Sequence, residues 1–292
     1  MKSRGKNSGS ADLAPSAHES FALRVGTRLV GSRDRLVPWI VPAIVLLVWQ
    51  ASASLGWLST RLLPAPISVL TAARRLAVSG ELFRAIEISS ARAFVGLAIG
   101  GSIGLALGLA NGLWAPAERV LDSSVQMLRN VPHLALIPLV IIWFGIEEQA
   151  KVFLVSLGVF FPIYLNTFHG VRTVDRGLIE MARVYGMSNW QLLTRVLLPG
   201  ALPSILVGLR FALGTMWLTL IVAETIAAKG GIGYMAMNAR EFMQTDVVLL
   251  AIVLYALLGK SADLLVIALE RWLLSWHPAY QFQTSSRSQV AS

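Results

Sequence analysis

Three windows without a charged residue constrain this chain more than any other feature. Residues 36–60 and 93–117 each run for 25 positions, and residues 152–171 for 20, without Asp, Glu, Lys or Arg. About 20 apolar residues are enough for a helix to cross the hydrocarbon of a bilayer. Backbone groups in lipid find no water to bond, so spanning segments satisfy themselves internally, and runs of this length do so as helices. Composition agrees: 14% of the 292 residues are charged and 55% hydrophobic, where soluble domains carry about 25% charge. The expected class is an all-α integral membrane protein.

Six spans are predicted, at about 36–56, 92–113, 130–146, 150–171, 202–228 and 246–269. The Ala-Ser-Ala at 51–53 looks like a signal-peptidase site. The apolar run before it exceeds the usual ~7–15 residues of a signal core and further spans follow, so an uncleaved first transmembrane helix is expected. The segment 57–91 mixes Arg74, Arg75, Glu81 and Arg84 with apolar residues at helical spacing, which reads as a helix at the membrane interface. The net charge of +9 is concentrated at the start, with seven of the 25 Lys and Arg in a Ser- and Gly-rich leader, 1–35. That pattern fits a disordered cytoplasmic tail better than a nucleic-acid surface. With the N-terminus inside, inside segments hold 15 Lys and Arg and outside segments 7. Both termini, including the tail 271–292, and the loop 172–201 are therefore expected in the cytoplasm.

Several chemistries are excluded. There is no cysteine, so no disulfide or thiolate site, and the four histidines (His18, His133, His169, His277) have no metal-ligand spacing. His133 reads as a packed polar residue. The Gly-Lys-Ser at 259–261 lacks the first glycine of a P-loop, since Leu254 stands there, and it falls in a predicted span. Lys260 and Asp263 are spaced for a helical ion pair. Glycines at 96, 100, 104, 108 and 112 form a small-residue ridge, expected to pack within the bundle. Pro132, Pro138 and Pro162 are expected to kink their spans.

The loop 172–201 is the exception to this lipid-adapted pattern. Leu178, Met181, Val184 and Tyr185 recur at helical intervals. Gly186 suits the left-handed end of one helix, and Ser188 or Asn189 the cap of the next. A second short helix is expected to end at Pro199 and Pro203, before the fifth span. The product is a polar helical hairpin on the cytoplasmic face. Its residues resemble the EAA loop of ATP-binding-cassette importer permeases, which reads E-A-A, three residues, G, nine residues, then I-x-L-P. Here Glu180, Met181, Ala182, Gly186, Val196, Leu198 and Pro199 stand at those spacings, with Met181 and Val196 as mild departures. The stretches "QMLRNVPHLALIPLVIIWFGI", "FPIYLNTFHGVR", "LRFALGTMWLTLIVAETIAA" and "GGIGYMAMNAREFMQTD" are similar to the nitrate, sulfonate and taurine branch of these permeases. Within it they are closest to the permease subunits of aliphatic sulfonate importers, over roughly residues 37–280.

That resemblance implies a type I importer fold, with a transmembrane domain over about 82–270. It also implies two permease copies, two ATPase subunits beneath them and a binding protein delivering ligand from outside. The chain itself would bind no cofactor; ATP and Mg²⁺ would sit on the partner ATPase. On this chain, Glu180 would offer its carboxylate to the ATPase and Ala182 would keep the contact face flat. Gly186 would make the turn, while Val196, Leu198 and Pro199 would set how the hairpin joins the fifth span. Arg210 and Glu224, ionisable within that span, are candidate pathway residues for an anion. They stand 14 positions apart, about 21 Å along a helix, too far to pair with each other. Separate structural partners are the alternative. A stand-alone secondary transporter would show internal repeats or paired broken helices. A membrane enzyme would show clustered catalytic groups near one membrane face, and none is legible.

Overall fold

The computed structural model describes Val37, residues 39–59 and residues 62–276. The leader 1–35 and the tail past residue 276, with His18 and His277, lie outside the described residues. No strand occurs among the described residues, and the chain divides into two units at Thr60 and Arg61.

The first unit contributes α1, the apolar helix Trp39–Ser54. Its 16 residues span about 24 Å. A local cause stops it. Gly56, at φ +76°, takes the left-handed conformation, and the N–H groups of Gly56 and Trp57 close back on Ala53 and Ser52.

The second unit begins with α2 (Pro66–Ser79), whose Ala72 and Leu76 pack on Ala239, Val247 and Leu250. One left-handed residue, Gly80, joins it to α3 (Glu81–Leu113). α3 therefore starts well before position 92, because Glu81, Leu82, Arg84 and Ala85 are good helix formers although too polar to read as membrane. α4 (Ala115–Arg129) is followed by a 3₁₀ turn (His133–Leu136) and α5 (Ile137–Phe144). Here the expectation of one continuous span at 130–146 needs correction. Pro132 is extended and Pro138 opens α5, so two N–H donors are missing and the ladder breaks. Pro116–Arg129 and His133–Phe144 meet at 81°.

Six further helices and a π-helical turn complete the unit. They are α6 (Glu148–Arg172), the hairpin α7 (Arg176–Val184) and α8 (Asn189–Leu192), a π-helical turn (Leu193–Leu197) running into α9 (Leu198–Ala227), then α10 (Ile232–Glu241) and α11 (Thr245–Leu273). Among the described residues four helical stretches are long and apolar enough to cross a bilayer, and the broken pair raises the number to five.

α6 lies at the centre. A Cβ on Gly100 would stand 2.0 Å from the Ser156 carbonyl oxygen, on Gly104 2.7 Å from that of Phe160, and on Gly108 2.8 Å from that of Tyr164. The glycine ridge thus lets the α3 backbone touch the α6 backbone, where dispersion rather than water-driven burial holds helices together. The opposite face of α6 receives α9: a Cβ on Gly158 would stand 2.8 Å from the Thr219 hydroxyl, and one on Gly208 of α9 2.7 Å from the Asn166 side chain.

Candidate functional site

The hairpin is built by its own capping chemistry. The Asp175 carboxylate accepts from the Gly177 N–H at 2.7 Å and starts α7. Gly186, at φ +74°, ends it: its N–H donates to Arg183 and that of Met187 to Ala182, the paired closure of a Schellman turn. Ser188 and Gln191 then cap α8 reciprocally, at 3.3 and 3.0 Å. Between the arms lies a small core of Val174, Ala182, Leu192 and Leu197, with Ile179, Met187 and Val196 packed on it.

Glu180 is exposed. Ala182 is not: at 3% exposure it fills the hairpin core, so its small side chain permits the two arms to close and presents no outer face. The outer face belongs to Leu178, Met181, Val184, Tyr185 and Trp190, apolar residues that remain uncovered, Val184 at 86%. Leu198 and Pro199 are half-buried at the start of α9. The expected stop at Pro199 and Pro203 does not occur. Leu198 donates back to Leu193, five residues away, in a widened turn that runs into α9; Pro199 follows in the first turn of α9 and Pro203 lies inside it. One unbroken rod therefore runs from Asn189 to Ile226.

The intramembrane charges are paired. Arg210 Nη2 donates to Glu270 at 3.0 Å, and its Nε lies 3.4 Å from Asp263, which also holds Lys260 at 2.9 Å. Glu224 is 1% exposed and sits in a knot. Its carboxylate accepts from Arg92 (2.7 Å), Ser89 (2.8 Å), the Tyr255 hydroxyl (2.9 Å) and the Gly233 N–H (2.9 Å). Arg92, 5% exposed, also grips Glu148 through two bonds of 2.5 and 2.7 Å and donates to the Gly230 carbonyl at 2.6 Å. Both candidate pathway residues thus have partners on other helices, as the alternative of separate structural partners expected. His133 likewise meets Thr219 at 3.0 Å and packs beside Gly158.

Sequence reasoning missed Arg92, Ser89, Glu148 and Tyr255. A faint signal existed: Arg92 is the last charge before the second uncharged window, at the depth where Glu224 ends the fifth span. Nothing local ties two residues 132 positions apart.

A bundle of apolar helices, locked by internal ion pairs and carrying one self-capped hairpin with an apolar outer face, defines an α-helical membrane protein. The chain belongs to the family of binding-protein-dependent transport system inner membrane components, whose family model matches residues 96–275. It is a transport subunit, not an enzyme. It is 63% identical over 252 residues to the putative aliphatic sulfonates transport permease protein of Escherichia coli (strain K12), covering 86% of this chain and 96% of that one. Identity is 45% over 242 residues to the protein of the same description in Bacillus subtilis (strain 168), covering 83% and 88%. Among solved structures, a chain of an amino acid ABC transporter crystallised with histidines shares the fold, at 18% identity and a TM-score of 0.57. That match covers 68% of this chain and 97% of that chain.

Proposed function

We propose that this chain is the pore-forming permease of an ATP-driven importer of aliphatic sulfonates. Two copies would form the pathway, two cytoplasmic ATPase subunits carrying ATP and Mg²⁺ would grip their hairpins, and an external binding protein would deliver substrate. The reading of the substrate rests on the 63% identity to a sulfonate permease; the reading of the mechanism rests on the hairpin. Its apolar outer face, with Glu180 beside it, is a surface for a groove on another subunit. The unbroken helix Asn189–Ile226, about 57 Å long, carries any displacement of that surface into the bundle without a hinge. In this arrangement Gly186 sets the turn, Ala182 and Val196 hold the arms closed, and Leu198 and Pro199 join hairpin to lever. The balance of basic residues, 15 against 7, supports cytoplasmic termini and a cytoplasmic hairpin.

The test is uptake of labelled alkanesulfonate, taurine and nitrate by the complex reconstituted in liposomes with ATP inside. ATP-dependent alkanesulfonate uptake that disappears without the ATPase is the expected result. Preference for taurine or nitrate would reassign the substrate, and uptake by the chain alone would refute the coupling mechanism.

A further inference from the structure

At the end of α9 away from the hairpin, the outer end in the orientation proposed above, a pocket of about 390 Å³ opens between the start of α3 and α10. Its lining is two-sided. Arg84, Lys229 and Asn238 supply charge and hydrogen-bond donors, while Ala85, Ile88 and Met235 supply an apolar wall. Arg84 has no ion pair among the described residues, and Lys229 reaches Glu147 only loosely, at 3.8 Å with both side chains largely exposed. Glu81 is the one acidic group in the lining. The floor is the Gly230–Gly231 turn, held from beneath by the Arg92 bond to the Gly230 carbonyl. The pocket is thus fixed by the buried knot, yet its two cations stay available.

We infer that this pocket receives a short alkyl chain bearing one sulfonate group. Arg84, Lys229 and Asn238 hold the sulfonate oxygens, and Ala85, Ile88 and Met235 cover the tail. A sulfonate spreads one negative charge over three oxygens that only accept, so it needs cations and donors rather than acceptors. Glu81 opposes it, which gives each charge in the site a predicted sign. The site would be a receiving station between the binding protein and the pathway. The inference rests on the sulfonate reading of the preceding section and makes it specific.

The experiment is equilibrium binding of labelled pentanesulfonate to the detergent-purified permease–ATPase complex without binding protein, alongside uptake by the same complex in liposomes with it. Arg84→Gln and Lys229→Gln are each expected to weaken binding at least about fivefold, the scale of one ion pair. Glu81→Gln strengthens it, and Arg84→Lys retains most of it. Ile88→Asn weakens pentanesulfonate more than methanesulfonate. Size-exclusion profile and basal ATPase rate show that each variant is assembled. Normal wild-type uptake with no binding, or with binding unchanged in Arg84→Gln and Lys229→Gln, overturns this site alone. A fall in binding for Glu81→Gln as for Arg84→Gln also overturns it, since a packing role has no charge sign. Failure of the wild-type complex to import any alkanesulfonate overturns the parent reading and this site with it.

Discussion

Cutting the Arg92–Glu224 pair from one side should destabilise the protein far more than removing both charges. Glu224 is fully enclosed and accepts hydrogen bonds from four partners, Ser89, Arg92, Gly233 and Tyr255. In Glu224→Ala the Arg92 guanidinium keeps Glu148, itself 58% exposed, and the Gly230 carbonyl, while buried donors on Ser89, Gly233 and Tyr255 lose their acceptor. Breaking a buried pair from one side costs about 3–5 kcal/mol, because a charge stays in a dry place without its counter-charge. Each abandoned donor adds about 1–3 kcal/mol before relaxation, and these terms overlap rather than sum. Desolvation of both ions offsets most of their attraction, so Arg92→Met with Glu224→Met should recover much of the loss. Thermal unfolding in detergent micelles, followed by tryptophan fluorescence, should show Glu224→Ala lowered by about 5–15 °C. The double variant should lie closer to wild type. A Glu224→Ala midpoint within about 2 °C of wild type would refute the claim that this carboxylate anchors α3, α9, α10 and α11 to one another.

The glycine ridge should show a gradient. Gly100→Val, whose Cβ meets the Ser156 backbone, should abolish folded protein in size-exclusion chromatography, whereas Gly112→Ala, which meets first the Val171 side chain, should cost about 1–3 kcal/mol. Gly186→Val forces a β-branched residue into the left-handed region and should destabilise the hairpin by about 1–2 kcal/mol. Its effect on substrate-stimulated ATPase activity should exceed its effect on global unfolding. Val184→Asp with Trp190→Ala, both at exposed positions, should shift unfolding by less than about 0.5 kcal/mol but reduce co-purification of the ATPase. Arg210→Ala should lower the unfolding midpoint by loosening α9 from α11, with Arg210→Lys restoring part of it. Reduced uptake at unchanged stability would return Arg210 to the pathway.

What was legible in the sequence was written locally. The uncharged windows announce membrane helices because a bilayer tests each 20-residue stretch by itself. The hairpin was legible because Gly186 and Ser188 act on backbone groups within five residues of themselves, whereas the Asp175 cap came from the structure. The glycine spacing marked the α3 ridge, since four residues return to one helix face. The tertiary structure decided the rest. Ala182 turned inward, because only the fold of α7 onto α8 sets which side of a short helix is covered. Pro199 did not break the rod, because it falls in the first turn of α9 just after a widened turn, and Pro203 is accommodated inside the helix. Pro132 did break the third span, where no such turn forms. Arg210 and Glu224 looked like charges waiting for a substrate; their partners lie on other helices, Glu270 60 positions away and Arg92 132. Capping and hydropathy act over one or two turns of chain, whereas the partner of a buried charge depends on which helices meet, and only packing settles that.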